Sequence, residues 1–171
     1  ASTAPAMEAL LSLVLDFDRA YARDKRRASL VDYSDLEHMA AQLLTEEDGS
    51  PSQLAGRLAL RYSEIMVDEY QDVSRVQDVI FSALSQNGRN LFFVGDVKQS
   101  IYRFRLADPT IFTEKYLSYK DCGEAADGEP RRVMLRENFR SRKEILDCAN
   151  TVFSICMSRE LGEIDYDEAA S

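Results

Sequence analysis

The chain has 171 residues, 45% of them hydrophobic and 30% charged, which suits one ordinary globular domain, or one domain with pieces of another. Its formal charge of −9 argues against a protein that coats nucleic acid through bulk positive charge, while leaving room for a local basic site. No apolar run approaches the roughly 20 residues needed to span a bilayer, and the start has no basic and apolar regions of a signal peptide.

Met7, Leu10, Leu11, Val14, Phe17 and Tyr21 recur at helical spacing, so residues 6–25 read as an amphipathic helix. A second helix opens at Ser34, where Ser34 and Glu37 have the form of a capping box. Leu36, Met39, Ala40, Leu43 and Leu44 would be its buried face. Residues 45–53, with Gly-Ser-Pro, read as a loop. Residues 65–67 suit a short buried strand, and Ser74 with Gln77 caps a helix that Asn87-Gly88 stops. "LFFVG" (91–95) is a second buried strand. Asp108-Pro109 opens a helix to about Tyr119, and the acidic stretch 121–130 is an exposed loop. "RRVMLRE" (131–137) is expected to be a third strand. Ser141 and Glu144 cap a last helix bearing Ile145, Leu146, Ala149, Val152, Phe153 and Cys156.

The alternation of strand and helix from residue 65 onward predicts an α/β fold with right-handed crossovers and a parallel sheet. Ligands bind such sheets beyond the carboxyl ends of the strands. Those ends carry Asp68-Glu69, Gly95-Asp96 and the arginines of residues 136–140, so three polar clusters are expected at one edge. Charge is segregated along the chain. Basic residues gather at Lys98, Arg103 and Arg105, and again at Arg131, Arg132, Arg136, Arg140, Arg142 and Lys143; acids gather at 46–48, 121–129 and 160–168. The three cysteines, Cys122, Cys148 and Cys156, form no CxxC pair. Cys148 and Cys156 fall on the apolar pattern of the last helix, so buried free thiols in a reducing cytoplasm are expected.

Asp68 and Glu69 follow a buried strand within a group of three carboxylates, Asp72 being the third. One such acid can hold Mg²⁺ while another orients a water; the plain alternative is a solvated strand end. Gly95-Asp96, followed by Lys98-Gln99-Ser100, adds a tight turn and an amide that could sense a phosphate.

In order, these stretches resemble a known set. "VDEYQD" (67–72) resembles motif II of superfamily 1 DNA helicases, "VGDVKQSIYRFR" (94–105) their motif III and "LRENFRS" (135–141) their motif IV. "DYSDLEHMAAQLL", "YRFRLADP" and "LGEIDYDEAA" are similar to the AddA branch, the helicase-nuclease family of bacterial break repair. Leu106 stands where UvrD and PcrA relatives usually have glycine, which also favours AddA. The resemblance covers most of the chain from residue 32 onward. It implies a partial RecA-like, P-loop NTPase type of sheet flanked by helices, behind an N-terminal helical segment. Residues 1–60 would end an accessory 1B-like region, 61–130 would be the second half of the first motor domain, and 131–171 would start the second.

By that resemblance Asp68 coordinates Mg²⁺, Glu69 activates the attacking water, and Gln99 couples the γ-phosphate to the DNA site. Arg140 would contact the γ-phosphate from the second motor domain. Phe104 would stack on a base where many relatives use tryptophan, with Tyr102, Arg103 and Arg105 along the same strand path. An aromatic face accepts any base and flanking cations meet phosphates; the alternative for Phe104 is a core position. The implied cofactors are ATP and Mg²⁺. The implied partners are single- and double-stranded DNA and an AddB-like subunit, with no membrane.

A motor that hydrolyses ATP also needs a GxxxxGK[ST] loop to cradle phosphates. None of the seven glycines is followed by lysine, so this stretch is expected to be an internal fragment, inactive alone, of a longer ATP-dependent helicase with its nuclease domain elsewhere. A UvrD/PcrA-type repair helicase and a non-catalytic interaction module are the alternatives.

Overall fold

A computed structural model describes residues 3–100, 107–135 and 137–158. Helix α1 (Ala4–Ala28) carries proline in its first turn, where the missing N–H costs nothing, and has Lys25, Arg26 and Arg27 in its last turn. Helices α2 (Tyr33–Leu44) and α3 (Gln53–Ala59) follow. The first strand, β1 (Ile65–Val67), leads through a single 3₁₀ turn (Tyr70–Asp72) into α4 (Arg75–Leu84). Strand β2 (Leu91–Phe93) leads through a second 3₁₀ turn (Val97–Gln99) toward α5 (Pro109–Ser118). Two short strands, β3 (Lys120–Asp121) and β4 (Arg131–Arg132), precede α6 (Lys143–Cys156).

Strands β1 and β2 pair in parallel, with Ile65 opposite Leu91, Met66 opposite Phe92 and Val67 opposite Phe93. This is the expected strand–helix–strand unit, with α4 as the crossover. Two apolar clusters hold it. Leu44, Ala55 and Ala83 join α2, α3 and α4, supported by Leu58, Ile80 and Leu84. Tyr70, Val73 and Ile111 form the other, packed by Val67, Phe81, Phe93 and Phe112. The capping box at Ser74 and Gln77 is present in both directions, and Asn87 and Gly88 take positive φ after α4.

Several sequence expectations need correction. The N-cap of α2 is Asp32, not Ser34. Asp32 is extended, its carboxylate accepts the Asp35 N–H, and the Asp35 carboxylate accepts the Asp32 N–H. Both acids also hold Lys25, at 2.8 and 2.6 Å, which a serine could not do. Glu37 instead accepts from Gln77 Nε2 at 2.7 Å, tying α2 to α4. Leu44 is the buried residue of α2; Leu36, Met39 and Leu43 are exposed, because α4 meets the face bearing Glu37 and Ala41. The expected loop ends at Ser52, whose hydroxyl caps α3.

The third strand is also corrected. Among the described residues of 131–137, regular pairing covers Arg131 and Arg132, and it is made with β3, in a sheet separate from β1 and β2. Val133 and Leu135 are exposed, and among the described residues no sheet face lies against them to reward their burial. Helix α6 has Arg142 as N-cap with no side-chain bond. Ser141 precedes the cap, and its N–H, the donor that Glu144 would take in a capping box, instead joins that of Arg140 on Asn138 Oδ1, both at 2.9 Å. No residue of α6 is buried, and Cys122, Cys148 and Cys156 are all exposed, against the expectation of buried thiols. On the apolar stripe of α6, Ile145 and Val152 are exposed, while Leu146 and Ala149 are half-buried.

Candidate functional site

The carboxyl edge of the β1–β2 pair is built by two chain reversals that interlock. After Val67 the chain turns at Asp68, whose Oδ1 accepts the Glu69 N–H at 2.9 Å. Glu69 itself has φ 50° and ψ 40°, a left-handed conformation that costs a non-glycine residue about 1–2 kcal/mol. The neighbours hold it there. Tyr70 is fully buried and its N–H donates to Val94 O at 2.9 Å. The Tyr70 hydroxyl donates to Asp78, its ring stacks on Phe93, and its edge meets Phe112. Asp78 is also 3.4 Å from Lys115 Nζ, so α4 and α5 both grip this turn.

Gln71 is the centre of the site. It is 1% exposed, the only buried polar side chain among the described residues. Its Nε2 donates to Glu69 Oε2 at 2.7 Å, and its Oε1 accepts the Asp96 N–H at 2.9 Å. One amide therefore spans from the first strand end to the second. Asp96 continues the chain of bonds: Oδ1 accepts the Lys98 N–H at 3.0 Å and Oδ2 accepts Gln99 Nε2 at 3.1 Å. Gly95 leaves room for this. A Cβ there would lie 2.6 Å from Gln71 Oε1 and 3.2 Å from the backbone nitrogens of Tyr70 and Gln71.

Three of the residues singled out from sequence are thus brought to one edge: Asp68, Glu69 and Gln99. Asp68 and Glu69 are exposed, and Glu69 reaches Gln99 through Gln71 and Asp96. Arg140 is not brought to them. It is exposed on the segment before α6, and among the described residues no hydrogen bond or ion pair joins it to Asp68, Glu69 or Gln99. Tyr102, Arg103, Phe104 and Arg105 lie outside the described residues.

Sequence reasoning assigned no role to Gln71, Tyr70 or Asp96. The signal was present as an amide two residues beyond Glu69 and a glycine next to Asp96, but their pairing across strands needs the β1–β2 register. Asp72 was counted only as a third carboxylate. Its Oδ1 is buried without a hydrogen-bond partner, and burial first, then the nearby Glu69 charge, pushes its carboxyl above the ordinary value.

The donor set suits a hard cation. Asp68 and Glu69 offer exposed carboxylate oxygens, which magnesium prefers, and magnesium commonly takes one or two protein carboxylates with waters and substrate phosphates. Among the described residues no cluster of three or more acids, histidines or cysteines forms a closed cage. The arrangement fits an open metal–phosphate site rather than a structural one.

The family model for the UvrD/REP helicase N-terminal domain matches residues 3–120. Over 170 residues the chain is 48% identical to an ATP-dependent helicase/nuclease subunit of Staphylococcus aureus, in strains JH9, JH1 and USA300. In each case the match covers 98% of this chain and 14% of the relative, so the chain spans about one seventh of their length.

Proposed function

Because the chain belongs to the UvrD/REP helicase N-terminal domain family, we infer that it is part of an ATP-dependent DNA helicase/nuclease subunit of break repair. The supporting observation is the continuous chain of hydrogen bonds from Glu69 through Gln71 and Asp96 to Gln99. It joins the two strand-end segments that resemble motifs II and III at the edge where a parallel sheet binds its ligand.

In this reading Glu69 takes a proton from the attacking water, and its left-handed backbone with the Gln71 donor fixes one carboxylate oxygen so that the other faces outward. Asp68 would hold Mg²⁺, which when bound would supply positive charge to offset that of the phosphates. Gln99 meets the γ-phosphate, and Arg140 approaches it from a second motor domain. Phe104 stacks on bases of single-stranded DNA, with Tyr102, Arg103 and Arg105 along its path. Residues 1–60, 61–130 and 131–171 belong to an accessory helical region, the first motor domain and the second. An AddB-like subunit is the proposed partner, and double-stranded DNA the substrate that is opened.

The test is turnover in the full-length protein. Glu69→Gln should leave ATP binding nearly intact and remove hydrolysis, because the amide keeps the shape and loses the base. Asp68→Ala should weaken the response to Mg²⁺. Hydrolysis by Glu69→Gln at the wild-type rate would overturn the assignment.

A second reading, a non-catalytic scaffold, draws on the lack of a GxxxxGK[ST] stretch in these 171 residues. It predicts that Glu69→Gln in the full-length protein changes nothing but stability. Both readings expect the 171-residue chain alone to release no phosphate from ATP.

A further inference from the structure

We propose that Gln71 is a positioning residue for hydrolysis: its buried amide locks the Glu69 carboxylate to the loop beginning at Gly95, so that Glu69 is aimed only when that loop is seated. The inference rests on the reading of Glu69 as general base, and it goes beyond it by naming the group that aims the base.

The geometry carries the argument. A Gln amide has one donor end and one acceptor end, and here each end is used once across the strand gap. The donor meets a carboxylate oxygen of Glu69 at 2.7 Å, the short length of a charge-assisted bond. The acceptor takes the Asp96 N–H at 2.9 Å. The main chain of Gln71 holds the same loop again, since its carbonyl accepts the Ser100 hydroxyl at 3.5 Å. At 1% exposure the amide has no water to replace either partner. Swinging it out would leave the Asp96 N–H without its acceptor and Glu69 without its donor. Gly95 makes the contact possible, since a Cβ there would collide with Gln71 Oε1.

The loop held at the other end is the one that carries Gln99. Displacing the loop therefore drags the Gln71 amide and frees the Glu69 carboxylate from its donor. A carboxylate misplaced by an ångström is a poor base, and such errors cost about a hundredfold in rate. Strand binding that seats the loop would raise hydrolysis through this amide without touching ATP.

Two variants separate aiming from mere packing. Gln71→Glu keeps an oxygen for the Asp96 N–H and sets a second carboxyl against Glu69 in place of the donor; Gln71→Leu loses both bonds and adds no charge. In the full-length protein, ATPase kinetics are measured with and without oligo-dT, beside thermal melts. For Gln71→Glu the expected result is kcat lower by about tenfold to a hundredfold in the DNA-stimulated state, with KM for ATP within about twofold of wild type. Gln71→Leu should be no better. Wild-type kcat in Gln71→Glu overturns the proposal, as does a loss of kcat that only tracks the folded fraction.

Should Gln71→Glu fail to fold, nuclear magnetic resonance on the wild-type chain decides. The Gln71 side-chain amide protons should exchange slowly and shift when Glu69, an exposed residue, is changed to Ala. Fast exchange with no shift overturns the proposal. The Glu69→Gln control keeps the two ideas apart. If it still hydrolyses ATP, the assignment of the base fails; if it is dead while Gln71→Glu is normal, only the role of Gln71 fails.

Discussion

The ring of Tyr70 lies against the ring of Phe93, centroids 4.0 Å apart and planes 17° from parallel. Tyr70 belongs to the turn after β1 and Phe93 ends β2, so the stack fixes one strand end on the other. The residues on either side of Tyr70, Glu69 and Gln71, build the site. The aromatic anchor explains how a left-handed Glu69 is sustained: the turn cannot relax without pulling a buried tyrosine out of its cluster.

Tyr70→Phe keeps that stack and removes the hydroxyl that donates to Asp78. Burial and the Asp78 bond hold the phenol far above its usual pKa, so the hydroxyl is neutral and is a true donor throughout the working range. Losing it leaves a shielded carboxylate with Lys115 beside it. The expected cost is about 1–3 kcal/mol. Urea unfolding should show a lower midpoint with an unchanged slope. A midpoint equal to wild type would mean that this bond contributes nothing net.

Gly95→Ala tests the close approach of the two strand ends. The new methyl must displace Gln71 Oε1, and two backbone nitrogens at 3.2 Å limit where it can go. Overpacking of this kind costs about 1–3 kcal/mol. Thermal melts of the 171-residue chain provide the check. An unaltered melting temperature would show that the loop shifts freely, contrary to the bonds that hold it to Gln71.

How far this was legible from sequence can be argued residue by residue. Ile65–Val67 and Leu91–Phe93 were readable as parallel strands because each is a short apolar run bounded by turn residues, with a capped helix between them. The edge position of Asp68, Glu69 and Gln99 followed from that topology alone. Gln71 was not legible, since an amide looks the same whether it faces water or bridges two strand ends. Asp32 was missed as a cap because Ser34 and Glu37 also have the capping spacing. What decided between them was Lys25, seven residues before Asp32 and on another helix. The third strand failed for a different reason. An apolar run predicts a buried strand only if a sheet is there to receive it, and Val133 and Leu135 find none. The periodicity of α6 likewise predicts a buried face, yet no residue of that helix is buried.

The clip between α1 and α2 gives a pH dependence with a definite sign. Lys25 Nζ contacts the carboxylates of Asp32 and Asp35, and Tyr21 OH adds a 3.2 Å bond to Asp32. The Lys25 ammonium, then the Asp35 N–H, pulls the Asp32 carboxyl from 3.8 down to about 2; Lys25 lowers Asp35 as well. A carboxyl depressed in the folded state adds stability above its unfolded pKa and loses it as pH falls through the folded one. The contribution should therefore be complete at pH 5 and fade between about pH 4 and 2. Melting curves across that range should fall more steeply for wild type than for Lys25→Met. Parallel curves would dismiss the clip as a surface ornament.

Asp72 should titrate with the opposite sign. Its Oδ1 is buried without a partner, and burial together with the Glu69 charge raises its carboxyl above the ordinary 3.8. A carboxyl raised in the folded state carries no penalty below its unfolded pKa, and destabilises progressively as pH rises through the folded value. Asp72→Asn removes that charge and its repulsion with Glu69. The variant should melt higher than wild type at pH 7. The gain should shrink toward zero near pH 3, where the wild-type carboxyl is already neutral. A series of melts from pH 3 to 7 measures the difference directly. If Asp72→Asn melts lower than wild type at pH 7, the ionised carboxylate is the favoured form, and the repulsion assigned to the Glu69–Asp72 pair is wrong.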